Sequence, residues 1–160
     1  MKLRHAVVAA AALLVPSLAP TAQGGDDIAF PQGYRDWYQH HTTVNLQGHN
    51  PESEVGIQNL YANPAARAGL RSGKFEDGAI FVVDRFGYRS EGNETLKQDA
   101  RKVVAVMVRD AARFKATGGW GFQAFKGGDP GAPVVKDGGA ACFACHVPHA
   151  ENNFLFTRGD

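Results

Sequence analysis

The only two cysteines of this 160-residue chain, Cys142 and Cys145, are three residues apart, and His146 follows the second directly. C-x-x-C-H is the attachment motif of a c-type haem. Thiols at this spacing can form thioethers with the two vinyl groups of one porphyrin, and the adjacent imidazole can then bind the iron. The motif therefore predicts one covalent haem c, attached through Cys142 and Cys145, with His146 as the proximal iron ligand.

Three other interpretations account for part of the motif. A disulfide would use both cysteines but would leave His146 unexplained. A thioredoxin-like redox pair needs a β-α-β setting, which this sequence does not predict. A zinc site could combine Cys142 and Cys145 with His149, although the long gap between ligand pairs that is typical of zinc fingers is absent.

The N-terminal residues predict the cellular compartment of the chain. Basic residues precede an unbroken apolar run at residues 6–15, and small residues and prolines follow as far as Ala22. This is the layout of a secretory signal peptide, and the run is too short to span a bilayer. An amphipathic first helix is the alternative, but the run has no polar stripe. We therefore expect residues 1–22 to be a signal peptide and residues 23–160 to be one exported domain in the periplasm.

The charge balance bears on possible partners. After residues 1–22 are removed, basic and acidic residues nearly balance, and no second long apolar stretch remains. Nucleic-acid binding requires a clustered basic surface, which is not evident here. We expect no nucleic-acid partner and no membrane insertion of the mature chain. Export agrees with the haem interpretation, because c-type haems are attached after export.

The rest of the sequence predicts an α+β fold, a mainly antiparallel β-sheet with a few short helices in a single domain. Asn63 is a plausible N-cap, Pro64 the first helical residue and Gly73 the stop of one helix. Polar residues 87–101 predict a hairpin connection, and residues 127–139 an irregular loop. Strands are predicted at 55–62, 79–86, 102–110 and 120–125, short helices at 34–38 and 64–72, and a helical turn or short helix at 111–119.

A sixth iron ligand would indicate electron transfer, whereas an open position would allow small-molecule binding. Met107 lies inside a predicted strand, where a core role is favoured. His40, His41 and His49 fall in a predicted helix-to-loop region and are expected at the surface. His149 is too near the proximal ligand to reach the opposite side of the iron. We therefore expect a five-coordinate iron.

Four segments, taken in order, resemble cytochrome P-460 and its relative cytochrome c′-β. The resemblance implies a small, mostly antiparallel sheet with a few helices, usually in a homodimer. It also implies a pentacoordinate c-type haem whose proximal ligand is His146. The segments are FPQGYRDWY, LYANPAARAGLRSGKFEDGAIFVVD, VMVRDAARFKATGGWGFQAF and CFACH…FTR.

The two branches of this family differ in what touches the haem. In the P-460 branch, a strand lysine after an F-x-D-G turn bonds covalently to the porphyrin, and the enzyme oxidises hydroxylamine. The matching position here is Val83, which has no amine, and Lys74 precedes the turn and is expected to be solvated. The region matching a distal carboxylate, Val104 and Ala105, offers no base. The resemblance therefore favours the c′-β branch, which implies an apolar pocket capped by aromatic side chains.

Strand alternation places Phe81, Val83 and Arg85 on one face. If Val83 faces the haem, Phe81 is the candidate cap, with Phe75 and Phe86 as weaker candidates and an ordinary core role as the alternative. Arg85 could contact a haem propionate, but a strand-end arginine is expected to be exposed.

The function that we expect from the sequence is a periplasmic mono-haem cytochrome that binds small diatomic ligands such as nitric oxide. The ferrous form should bind nitric oxide and carbon monoxide and hold oxygen poorly. The alternatives are a hydroxylamine or nitric oxide oxidoreductase of the P-460 type and a six-coordinate electron-transfer cytochrome, which would need a periplasmic redox partner.

Overall fold

A computed structural model describes residues 28–48, 50–92 and 94–159, so the predicted signal peptide and His49 lie outside the described residues. The predicted α+β fold is confirmed: five antiparallel strands form one sheet in the order β1-β2-β3-β4-β5. The elements are β1 (Tyr38–Asn45), β2 (Gly56–Ala62), α1 (Pro64–Ser72), β3 (Ile80–Glu91), β4 (Thr95–Arg109), β5 (Trp120–Lys126) and α2 (Ala140–His146), with 3₁₀ turns at Tyr34–Asp36, Lys115–Thr117 and Val147–Asn152.

The sheet separates two apolar clusters, because successive side chains of a strand point to opposite faces. We call the side against which Cys142 packs the motif face; its buried residues include Phe81, Met107 and Phe122. The other side, the N-terminal face, is covered by a segment that includes Ile28 and Tyr34, which pack with Val82, Val104, Val106 and Phe125.

Helix α1 forms as predicted because its ends are specified locally. The Asn63 side chain accepts a hydrogen bond from the backbone N–H of Ala66 (2.8 Å), and Pro64 occupies the first helical position. Gly73 ends the helix with φ of 73°, a left-handed conformation that glycine adopts without steric cost. None of the described helices is long and apolar enough to cross a membrane.

Two sequence predictions are wrong in extent. The predicted helix at 34–38 is only the 3₁₀ turn Tyr34–Asp36, and β1 begins at Tyr38. The aromatic spacing misleads there because Tyr34 is buried on the N-terminal face while Tyr38 packs on the motif face. The predicted hairpin connection is mostly paired strand, since Tyr88 faces Gln98 across the ladder and Glu91 faces Thr95.

A buried ion-pair cluster on the N-terminal face joins the start of the domain to β3. Asp84 is fully buried and accepts hydrogen bonds from the Tyr34 hydroxyl (2.6 Å) and from Arg35 Nη2 (2.9 Å). Its other oxygen forms an ion pair with Arg101 Nε at 2.9 Å. Burial, followed by the hydrogen bond to Asp84, raises the pKa of Tyr34 far above its ordinary value.

This shift predicts a loss of stability in alkali. An unfolded tyrosine ionises near pH ~10, whereas folded Tyr34 stays protonated to higher pH. The contribution of Tyr34 to the free energy of unfolding is therefore complete below pH ~10 and declines as the pH rises above it. Tyr34→Phe should cost ~1–3 kcal/mol at neutral pH, because Asp84 loses a buried donor, and should make the alkaline decline shallower. Urea unfolding at several pH values measures both effects. Tyr88→Phe, the control, should keep the wild-type decline, and an equally steep decline in Tyr34→Phe would contradict the assignment.

Candidate functional site

The cysteine motif lies on the short helix α2, whose start is fixed by Asp137. The Asp137 carboxylate accepts hydrogen bonds from the backbone N–H groups of Gly139 (3.0 Å) and Ala141 (2.8 Å). These bonds, led by that from Ala141, lower the pKa of the Asp137 carboxyl. Gly139 precedes the helix with φ of 86°, and a Cβ at this position would lie 3.1 Å from Cβ of Phe122. The start of the helix therefore lies close to β5, with little room for a side chain at residue 139.

The two thiols differ in their surroundings. Both are free; Cys142 is partly buried against the motif-face cluster and Cys145 is exposed. Burial, together with the negative charge of Asp137, raises the pKa of the Cys142 thiol. Residues three apart lie on the same side of a helix, so the two sulfur atoms can reach one edge of a flat ligand.

His146, at the end of α2, is held in one orientation. Its Nδ1 lies 2.6 Å from the carbonyl oxygen of Phe154, and its ring contacts Phe122 and Phe156 at centroid distances of 5.0 and 4.7 Å. Burial lowers the pKa of His146, which favours the neutral imidazole. Because a carbonyl oxygen can only accept, Nδ1–H donates this hydrogen bond, and the lone pair of Nε2 is left to bind a metal, the arrangement usual for metal-binding histidines.

An unusual backbone conformation presents that carbonyl group. Asn153 and Phe154 have φ of 55° and 63°, in the left-handed region that a bulky residue rarely adopts. Such a residue costs ~1–3 kcal/mol and persists where its surroundings impose it. The Phe154 ring packs on Phe143 at 5.2 Å and lies close against Gly118, where a Cβ would be 2.5 Å from Phe154 Cε2. The tail is therefore shaped to hold His146.

A row of apolar side chains crosses the motif face and is only half-buried. Val83 pairs with Leu60 on one side and Ala105 on the other, and Ala105 pairs with Ala124. A half-buried apolar row at the centre of a sheet offers a surface for a flat apolar ligand. We call this set the apolar row: Leu60, Val83, Ala105 and Ala124.

The candidate aromatic residues fall in different places. Phe81 is buried on the motif face and contacts Phe75 at 5.7 Å. Phe86 lies instead beside Arg35 and Arg101, with their guanidinium carbons 5.9 and 5.1 Å from its centroid. It therefore belongs with the Asp84 cluster and not with the motif.

Other predicted residues are also placed. Met107 is buried in the core, and Lys74 is exposed, both as expected. His40 and His41 lie in β1, not in a helix-to-loop region, and His41 pairs with Leu60 at the edge of the apolar row. Arg85, expected to be exposed, is half-buried, because Gln58 and the backbone at Ser53 contact its guanidinium group.

Two alternative interpretations of the motif find no support in the described residues. Nowhere in that part of the chain do three His, Cys, Asp or Glu side chains converge as metal ligands, so Cys142, Cys145 and His149 do not form the zinc set considered above. A thioredoxin-like setting is absent as well, because the described sheet is antiparallel throughout.

The donor set at this site fits a haem. Two free thiols lie on one side of a helix, an imidazole with its Nε2 lone pair available follows them, and an apolar surface lies on the same face of the sheet. The family model Cytochrome P460 matches residues 31–157. The chain belongs to the cytochrome P460 family. Membership implies a c-type haem protein. A comparison with curated proteins finds no match.

Within this cytochrome P460 domain, sequence reasoning missed several residues of the site. Leu60 and Ala124 could have been found, because period-two alternation in β2 and β5 assigns them to the face of Val83. The carbonyl group of Phe154 carried no sequence signal, since its position depends on the left-handed tail conformation.

The two aromatic contacts of His146 should contribute unequally. Phe122 is 3% exposed and Phe156 is 63% exposed. Phe122→Ala should lower the free energy of unfolding of the haem-loaded protein by ~3–5 kcal/mol, because it opens a cavity in the core. Phe156→Ala, the control at the second aromatic contact of the same imidazole, should cost much less. Guanidinium unfolding measures both, and equal costs would contradict this packing of the proximal side.

Proposed function

We propose that this member of the cytochrome P460 family is a periplasmic mono-haem cytochrome that binds nitric oxide in an apolar pocket. In this proposal Cys142 and Cys145 carry the haem through thioethers, and His146 binds the iron from the proximal side. The haem, when bound, supplies an iron centre that takes neutral diatomic ligands. The single observation that carries the proposal is the half-buried apolar row on the face that holds the motif.

The residues around the motif would act as follows. The carbonyl oxygen of Phe154 accepts a hydrogen bond from the Nδ1–H group of His146 and so orients the ring, and Phe122 packs against the ring. The side chains of the apolar row would exclude water from the side of the haem opposite His146. A neutral diatomic molecule loses little hydration energy on entering such a pocket, whereas an ion loses much more.

The composition of the apolar row argues against hydroxylamine oxidation. The row contains neither an amine at Val83 that could cross-link to the porphyrin nor a carboxylate at Ala105 that could accept protons. The buried carboxylate nearby in sequence, Asp84, lies on the N-terminal face and is committed to Tyr34 and two arginines. General-base chemistry needs a group within hydrogen-bond reach of the reacting atom.

Production in a host that matures c-type cytochromes tests the function directly. We expect a coloured protein whose mass includes one haem, a high-spin five-coordinate spectrum in both oxidation states, and spectral changes on adding nitric oxide or carbon monoxide to the reduced form. Cys142→Ser with Cys145→Ser should abolish covalent attachment. A colourless product at the mass of the bare peptide would overturn the proposal. A persistent oxygen complex in air would contradict the expectation of poor oxygen binding.

An electron-transfer function is the second candidate, because His41 occupies the β1 position of the same row. If His41 or Met107 bound the iron, the wild-type spectrum would be low-spin and six-coordinate. Our proposal predicts that His41→Ala and Met107→Leu leave the spectrum of the haem unchanged. A low-spin wild-type protein that becomes high-spin in either variant would establish electron transfer instead.

The position of Val83 can be tested chemically. In Val83→Lys, treatment of the haem-loaded protein with hydrogen peroxide should join Nζ to a porphyrin carbon. One N–H and one C–H bond are lost, an N–C bond forms, and the peroxide is reduced to two water molecules. Mass spectrometry of the haem peptide should then show a linkage and the loss of two hydrogens. Val44→Lys, on an exposed part of β1, is the control, and absence of a link in Val83→Lys would show that Val83 does not face the porphyrin.

Homodimer formation belongs to the same proposal. Strands β3 and β4 extend beyond their neighbours, so that the pairs from Tyr88↔Gln98 to Glu91↔Thr95 have no third strand beside them in the described residues. An isolated two-stranded ribbon is only marginally stable in water, which favours a partner on it. Light scattering on the same preparation distinguishes a dimer from a monomer.

A further inference from the structure

Arg85 lies on the motif face, one side-chain row beyond the apolar row. It is two residues after Val83 in β3 and pairs with Gln58 in β2 and Val103 in β4. Phe81, four residues before Arg85, belongs to the cluster against which Cys142 packs. At about 3.3 Å per residue, the rows of Phe81 and Arg85 are ~13 Å apart. The apolar row therefore separates Arg85 from the row nearest the thiols.

The guanidinium group of Arg85 is held in place by neutral acceptors. Oε1 of Gln58 accepts from both Nε (3.1 Å) and Nη2 (2.8 Å), and the carbonyl oxygen of Ser53 accepts from Nη1 (2.7 Å). A guanidinium has five N–H groups, so one on each Nη nitrogen remains. Two such groups form the fork that binds a carboxylate with two parallel hydrogen bonds.

Among the described residues, no carboxylate lies at ion-pair distance from Arg85. Burial lowers the pKa of its guanidinium, and the carboxylate of Glu54 opposes this only through longer-range attraction. None of the ion pairs found among the described residues includes Arg85, whereas Arg35 and Arg101 both pair with Asp84. Holding a cation partly out of water is unfavourable unless an anion compensates it. An anion bound on the motif face would supply that compensation.

We propose that Arg85 binds a propionate carboxylate of the haem, with Gln58 as the residue that positions the guanidinium group. This inference rests on the proposed function and deepens it. The propionates leave the porphyrin at the edge away from the two thioether positions. Arg85 lies on the side of the apolar row away from Cys142, which is where that edge falls if the haem covers the row. Arg85 thus orients the haem and compensates one of its negative charges.

The test is the reduction potential of the haem-loaded protein as a function of pH. In the wild type, Arg85 keeps the propionate ionised, so the potential should change little between about pH 5 and 8. In Arg85→Gln the potential at neutral pH should fall, because loss of a nearby positive charge favours the ferric state. It should also rise on acidification, because the propionate now takes up a proton within that range. Arg85→Lys, which keeps the charge, should restore most of the wild-type profile.

Arg89→Gln is the matched control, since Arg89 lies in the same strand on the exposed hairpin and pairs with Glu91. It should leave the pH profile unchanged. An Arg85→Gln protein with a normal spectrum and the profile of Arg89→Gln would overturn the proposal while leaving nitric oxide binding intact.

If Arg85→Gln fails to attach haem, a measurement on the wild-type protein still tests the role of Arg85. The propionate-bending band in its resonance Raman spectrum should lie at the frequency of a hydrogen-bonded carboxylate and should shift in D₂O. A band at the frequency of a free carboxylate would overturn the role of Arg85. A colourless wild-type protein would overturn the proposed function together with this inference.

Discussion

The pairing of β3 with β4 is the constraint on which the rest of this structure depends. It decides which side chains face Cys142 and His146 and which face the N-terminal segment. A slip of one residue would exchange the two faces of a strand. The slip is opposed on both sides of the sheet, because Asp84 is tied to the N-terminal segment and Phe81 is buried in the motif-face core. The apolar row is placed by the same register.

How far the sequence predicted the structure depended on whether the deciding interactions are local. Helix α1 was predicted at both ends because Asn63, Pro64 and Gly73 act within a few residues of their own positions. The aromatic residues at 34–38 fit helical spacing equally well. Tyr34, however, donates a hydrogen bond to Asp84, fifty residues away, and Tyr38 packs on the opposite face of the sheet. Spacing alone cannot distinguish a helix from a turn whose side chains have distant partners.

The same distinction applies to the site. Cys142, Cys145 and His146 were predicted from a short motif with its own chemistry, and Val83 from the position that the resemblance to the P-460 branch assigns to a strand lysine. The carbonyl group of Phe154 and the burial of Arg85 depend on segments distant in sequence, the C-terminal tail and the stretch that contains Ser53. A strand-end arginine is exposed by default, and here contacts with Gln58 and Ser53 reverse that expectation.

The two faces of the sheet differ in whether their buried charges are compensated within the protein, and this difference decides which ligand each face can bind. On the N-terminal face, a fully buried carboxylate is matched by two arginines and a tyrosine, so its charge is compensated within the protein. On the motif face, the apolar row carries no charge of its own and the adjacent Arg85 has no described carboxylate at ion-pair distance. An apolar surface beside an unmatched cation suits a ligand that is flat and apolar at its centre and anionic at one edge, which is the chemical description of a haem. Val83 and Ala105 lie at the centre of that surface. If the proposed haem covers it, a substitution at either position would decide whether a molecule on the iron meets hydrocarbon or a reactive side chain.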